Sequence, residues 1–219
     1  MKTLLLILFS YFLGSIPFGL IIGKLCRGID IRRIGSGNIG ATNVYRVLGL
    51  GPGLAVFALD VAKGFIPVAV ARHFMPESSW ILVACAMIAI LGHTLSVFLN
   101  FRGGKGVATS LGVLIGLDHR VALACFVAWV LVLAITRYVS IASIIAALTV
   151  ASSMFIFHLP PLYKAFGIVA AALVIFKHRS NISRLINRTE PKLGKMAKTT
   201  SDETSDPGTK KDKTNSVEV

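Results

Sequence analysis

Long apolar runs, separated by short polar breaks, constrain this chain more than any other feature. A helix needs about 20 apolar residues to cross about 30 Å of hydrocarbon. Such runs occupy residues 3–25, 53–74, 80–98, 107–117, 121–135, 140–157 and 162–176. Backbone polar groups inside lipid must be satisfied locally, so runs of this kind become helices. The expected fold class is all-α: a polytopic integral membrane protein of about seven transmembrane helices. The fourth run is short. From Gly106 to Leu117 it rises only about 18 Å, so either its flanks extend it or the preceding loop lies below the membrane surface. Counting six spans is the alternative. The first run follows Lys2 as a signal peptide would. However, it has no small-x-small cleavage site and continues through Ile22, so it is read as a retained first helix.

Charge sets the orientation. Only 15% of residues are charged and 54% are hydrophobic, against about 25% charged in soluble domains. That balance excludes a soluble enzyme, a disordered protein and a nucleic-acid reader, despite a net charge of +13. Alternate loops place Lys24, Arg27, Arg32, Arg33, Arg46, Arg102, Lys105, Arg137, Lys177, Arg179, Arg184, Arg188, Lys192, Lys195 and Lys198 on one side. The other side holds only Lys2, Arg72, Arg120 and Lys164. The basic side is expected to be cytoplasmic, with the N-terminus outside and the C-terminus inside. Two sequons, at Asn181 and Asn187, then fall in the cytoplasm and should be unused. Residues 195–219 balance five lysines with five acids and hold few apolar side chains. They are expected to form a disordered cytoplasmic tail behind a membrane domain of residues 1–194. The three cysteines, Cys26, Cys85 and Cys125, are too far apart for a CxxC metal pair.

Polar residues concentrate at the inner ends of the spans, where charge and amides are costly unless they face a cavity. Gly35, Gly37 and Gly40 match GxGxxG, but the preceding segment is a membrane helix and not a strand, so a dinucleotide site is rejected. What remains is a glycine loop whose N–H groups can converge on an anion. Ser36, Asn38, Thr42 and Asn43 add neutral donors, and Arg46 adds a forked cation suited to phosphate. Further on, His93, Ser96 and Asn100 fall on one face of a continued helix. Arg102, Gly103, Gly104, Lys105 and Gly106 then form a basic glycine loop at a helix start, which favours anions. A nucleotide P-loop would need glycine at Leu99 and Ser or Thr at Gly106. His178 and Asn181 share a face just after the last run. Asp60 and Lys63, one turn apart inside the second span, are read as a structural buried pair. Ser140 and Ser143 sit at the inner end of the sixth span. Together these patches suit more than one phosphate group, beside helices able to hold a hydrocarbon tail.

Several strings in order carry a family resemblance: Gly14-Ser-Ile-Pro-Phe-Gly19, the stretch from Gly35 to Arg46, Asp60-Val-Ala-Lys-Gly64, Gly92-His, Asn100-Phe-Arg-Gly-Gly-Lys-Gly-Val-Ala108, and His178-Arg-Ser-Asn-Ile182 with Glu190. The chain resembles the bacterial acyl-phosphate:glycerol-3-phosphate acyltransferase family over about residues 4–194. The resemblance implies a seven-helix enzyme of the bacterial inner membrane with its active site on the cytoplasmic face. It would move a fatty acyl group from acyl phosphate to the sn-1 hydroxyl of glycerol 3-phosphate, giving lysophosphatidic acid and phosphate for phospholipid synthesis. It implies no metal or other cofactor, membrane lipids as surroundings, and functional coupling to the enzyme that makes acyl phosphate. Carried over, Ser36 and Arg46 stand for the first essential motif. Gly103, Gly104, Lys105 and Gly106 stand for the glycerol-3-phosphate loop, and His178, Asn181 and Glu190 for the third motif, Glu190 in a structural part. His93, Asn100 and Ser143 match further active-site positions. Arg188 stands where the family pattern has a glycine.

Two other classes compete on the residues alone. A transporter for organic anions would suit charge within broken helices, but no inverted repeat is visible and the polar groups crowd one face. A polyprenol-phosphate transferase would call for aspartate clusters with magnesium, and the inner loops hold only Asp30.

Overall fold

The computed structural model describes residues 1–194, and the tail at 195–219 lies outside the described residues. The described chain is helical throughout: α1 (Lys2–Ser15), α2 (Phe18–Arg27), α3 (Ala41–Leu48), α4 (Leu50–Phe74), α5 (Ser79–Thr94), α6 (Val107–Leu117), α7 (His119–Thr136), α8 (Val139–Ile156), α9 (Pro161–Lys177) and α10 (Arg179–Ile186). Two 3₁₀ turns, Ile31–Arg33 and Val97–Leu99, punctuate the loops.

Five stretches are long and apolar enough to cross a membrane: Lys2–Arg27, Leu50–Phe74, Ser79–Leu99, His119–Thr136 and Val139–Ile156. The first joins α1 and α2 across the break at Pro17. A sixth arises if α9 and α10, bent by 54°, count as one span. The fourth apolar run is α6, of 11 residues. It is too short to cross a bilayer alone.

Close helix packing explains how so short a segment is held. Lipid offers no hydrophobic drive between helices, so small residues that let backbones touch do the work. A Cβ on Gly64 of α4 would strike the backbone oxygen of Thr109, and one on Gly112 of α6 would strike that of Val61. Gly116, one turn on, lies against Val68. The same device joins α1 to α5, where Gly14 lies on Ala89 and Gly92 on Tyr11. The main buried cluster runs through α4, α5, α6, α7, α8 and α9, with Val68, Ile90, Val113, Val121 and Met154 fully enclosed.

The two ends of α6 are finished differently. At the C-terminal end, Arg72 of α4 donates to the carbonyls of Gly116 (2.8 Å) and Leu117 (3.0 Å). Asp118 then caps α7, accepting from the N–H groups of Arg120 and Val121. At the N-terminal end, Gly106 takes φ +82°, a conformation glycine enters without steric penalty. The preceding loop is sewn to the end of α5: Gly103 N–H donates to Thr94 O (3.2 Å) and Gly104 N–H to His93 O (3.1 Å).

Candidate active site

The first glycine loop is built around Asn43. Its side-chain oxygen accepts from Ser36 N–H (2.8 Å), and its amide donates to the carbonyls of Ile31, Ile34 and Asn38. Asn43 was expected to be a free donor toward substrate. Its amide is instead committed to shaping the loop. Asn38 does likewise, accepting from Gly40 N–H at 2.8 Å. Gly35 and Gly37 have φ near +65° and +68° and serve the turn without lining the cavity.

That loop, the 103–106 loop and the end of α9 meet at one cavity. Ser36, Asn38, Gly40, Thr42, Asn43, Arg46, Asp60, His93, Lys105, Gly106, Ser143, His178, Asn181 and Glu190 all line it. Its deeper walls are apolar, with Leu114, Cys125, Phe126, Val150, Phe166 and Ala170 contributed by α6, α7, α8 and α9. A cationic head thus opens directly into a hydrophobic chamber.

At the head, Arg46 is only 8% exposed. Its Nη2 donates to Pro191 O (3.0 Å) while its Nε has no partner among the described residues. Burial pulls its guanidinium down from the usual range, Glu190 opposing and Arg184 adding to the effect. Lys105 Nζ donates to Asn181 Oδ1. Asn181 Nδ2 donates to Glu190 Oε1 (2.6 Å), and Arg184 Nε to Glu190 Oε2 (2.7 Å). Burial lowers the Lys105 ammonium to about 8, against the pull of the Glu190 carboxylate. Burial pushes the Glu190 carboxyl up, but its hydrogen bonds from Asn181 and Arg184 leave it below the ordinary value. Glu190 therefore stays ionised and fixes Asn181 beneath Lys105. His178 Nδ1 lies 2.8 Å from Val174 O. A carbonyl only accepts, so Nδ1 carries the proton and Nε2 is left free as an acceptor.

Buried polar atoms normally have partners. Around this cavity Arg46 Nε, His93 Nδ1 and Ser110 Oγ have none among the described residues. Ser110 was missed from the sequence. Its signal was a hydroxyl one turn beyond Gly106 in an otherwise apolar helix. Ser143 lines the cavity, but its hydroxyl already donates to Val139 O (2.8 Å) and accepts from Trp129 (3.3 Å).

Besides Gly35 and Gly37, four more expected residues lie outside the cavity lining. Gly103 and Gly104 back the loop, and Arg102 is exposed. Asn100 was expected on a helical face with His93 and Ser96. However, α5 ends at Thr94 because Ser96 Oγ turns to Ser15 O (2.6 Å), and the chain leaves the helix with Asn100 at φ +50°. Asn100 is exposed and outside the cavity. Asp60 and Lys63 form the buried pair expected of them, 2.7 Å apart. Arg188 sits at φ +57°, a left-handed conformation that glycine enters without penalty, which is consistent with the glycine expected there from the resemblance.

Fold and cavity together define a polytopic membrane protein with one chamber for an anionic headgroup and an attached apolar chain. The family model for glycerol-3-phosphate acyltransferase matches residues 4–188, and the chain belongs to that family. A glycerol-3-phosphate acyltransferase of Aquifex aeolicus is 46% identical over 190 residues, covering 87% of this chain and 98% of the relative. One of Synechococcus elongatus is 46% identical over 199 residues, covering 88% and 95%. The crystal structure of PlsY, an integral membrane glycerol 3-phosphate acyltransferase, in its glycerol 3-phosphate form superposes with a TM-score of 0.85. It is 44% identical and covers 89% of this chain and 96% of that one. Its lysophosphatidic acid form gives a TM-score of 0.83 over 89% and 97%. Family membership sets aside the transporter and polyprenol-phosphate transferase readings.

Proposed function

We propose that this chain acylates glycerol 3-phosphate at its sn-1 hydroxyl, using acyl phosphate as donor, and releases lysophosphatidic acid and phosphate. The supporting observation is the single cavity that joins a cationic head to an apolar chamber. One substrate needs the head alone, while the acyl donor needs both. The glycerol 3-phosphate and lysophosphatidic acid forms of PlsY fit the same division.

Acyl phosphate is a mixed anhydride with a good leaving group, so the reaction needs neither an enzyme nucleophile nor a metal. The hydroxyl oxygen bonds to the acyl carbonyl carbon, the carbon–oxygen bond to phosphate breaks, and phosphate departs with the electron pair. The protein's share is orientation and charge stabilisation. Arg46 and Lys105 take the phosphate charges, and the Ser36 hydroxyl supplies a neutral donor, the N–H groups of Gly37, Gly40, Gly103 and Gly104 being committed within the protein. His178 and Asn181 position the glycerol 3-phosphate, His178 offering Nε2 to its hydroxyl. The proton passes to His178, to His93 or to the leaving phosphate.

In the membrane this reading uses seven spans, with α6 as the short fourth, the N-terminus outside and the C-terminus in the cytoplasm. The head then faces the cytoplasm of a bacterial inner membrane, where an acyl-phosphate-producing enzyme can supply the donor. Asn100 and Arg102 serve at the rim. The test is turnover by purified protein with glycerol 3-phosphate and either acyl phosphate or acyl-CoA, with Arg46→Ala as control. Turnover with acyl phosphate that Arg46→Ala abolishes is expected; activity with acyl-CoA alone would remove the donor assignment. Replacing both His93 and His178 by glutamine addresses the proton: retained activity across the pH range leaves the phosphate as acceptor.

A further inference from the structure

The buried Asp60–Lys63 pair touches more than itself. Lys63 Nζ also donates to Ile16 O (2.7 Å), at the break between α1 and α2. Lys63 is thus anchored on both sides and holds the Asp60 carboxylate in place. Asp60 lines the cavity, and its Oδ1 lies 3.8 Å from His93 Nδ1. That nitrogen is buried and has no other partner among the described residues. The opposite edge of the His93 ring fills the space where Gly104 would carry a Cβ, next to Nε2. The His93 carbonyl meanwhile accepts from Gly104 N–H at 3.1 Å. A continuous path therefore runs from the ion pair through the imidazole to the loop that carries Lys105.

We infer that Asp60 is a positioning residue: held by Lys63, its carboxylate sets the His93 ring, and the ring sets the 103–105 loop that receives the glycerol 3-phosphate headgroup. The 3.8 Å separation closes to a hydrogen bond when the loop is loaded, as site contacts commonly tighten on ligand binding. Asp60 works as the orienting third member of a base–orienter arrangement does, by fixing tautomer and tilt rather than by touching the reacting atoms. The inference rests on the proposed reaction, because it assigns this loop to glycerol 3-phosphate.

The test must separate positioning from mere burial of a charge pair. Removing one partner of such a pair leaves an uncompensated charge, whereas replacing both with neutral groups is often tolerated. The key variant is therefore Asp60→Asn with Lys63→Met, compared with each single change by thermal unfolding and steady-state kinetics. The double variant is expected to unfold within a few degrees of the parent, while its KM for glycerol 3-phosphate rises about tenfold, a typical size for coupled neighbours. Its KM for acyl phosphate should move less than twofold. Adding His93→Gln to the Asp60→Asn, Lys63→Met double variant should cost nothing beyond His93→Gln alone, because Asp60 and His93 act through one path. A parent-like KM for glycerol 3-phosphate in the double variant would overturn the inference. So would a uniform loss on both substrates that follows the thermal midpoint, or additive effects of the Asp60 and His93 changes. A parent protein with no turnover would instead remove the proposed reaction, and the inference with it.

Discussion

Helix α6 ends in two opposite ways. Its C-terminal carbonyls are closed by Arg72, and the next helix starts at once behind the Asp118 cap. Its N-terminal turn follows a glycine loop and faces a cavity, with Lys105 beside it and unpartnered polar atoms around it. Both ends lie within a protein that sits in lipid, where an unsatisfied group costs several kcal/mol. One end is satisfied by the protein itself, and the other faces the cavity to which the proposed reaction is assigned. Stability is built at the Arg72 end, and binding capacity is held at the Lys105 end.

The sharpest way to break this contrast is to disarm the open end. Lys105→Met is expected to lower kcat/KM for glycerol 3-phosphate by about 10²–10³-fold, the usual size for one electrostatic stabiliser. The thermal midpoint should hold or rise, since the buried ammonium is itself costly. A smaller loss is expected from Gly104→Ala. The new Cβ would meet the His93 ring, and a loop displaced by about 1 Å costs up to about 10²-fold. Steady-state kinetics would check both, and a parent-like rate in either would argue that the loop does not hold substrate.

The closed end should respond the other way. Arg72→Met leaves the Gly116 and Leu117 carbonyls buried and unpaired, at about 1–3 kcal/mol each by the usual penalty. Thermal unfolding should drop clearly, while KM for glycerol 3-phosphate in surviving protein stays unchanged. A rise in KM without loss of stability would mean that the two ends are not independent.

This contrast was only half legible in the sequence. Apolar runs marked all five stretches long and apolar enough to cross a membrane, because hydrophobic length is a local property. Arg46, Lys105, His178 and Asn181 could be assembled because they sit at alternate span ends, which topology alone brings to one side. What failed depended on distant partners. Nothing near Ser96 signals that its hydroxyl will leave the helix for Ser15, some 81 residues away, and with that departure Asn100 left the helical face expected to carry it beside His93. Asn43 looked like a free donor, yet four contacts within its own loop absorb it. Arg72 counted only as an outside-loop charge, though its side chain reaches back to cap α6. The glycine expected at Arg188 gained a physical reason only with the left-handed backbone seen there.

The smallest expected effect is also the one that separates the two ends within a single unmodified protein. With Lys105 lowered to about 8, the ammonium is largely present at pH 7 and about nine-tenths lost by pH 9. KM for glycerol 3-phosphate should therefore rise about tenfold between pH 7 and pH 9. Stability of the empty protein should move in the opposite sense. The folded value lies below the unfolded value of 10.5, so between about 8 and 10.5 the unfolded chain binds more protons, and this group's contribution favours folding as pH rises. An enzyme that grows more stable while binding its substrate less well is not explained by general alkaline damage, which would weaken both. Lys105→Arg keeps its charge throughout this range and should flatten the KM profile. If the profile rises equally in Lys105→Arg, the titrating group is another one, and Lys105 is not the cation that distinguishes the open end of α6 from the closed one.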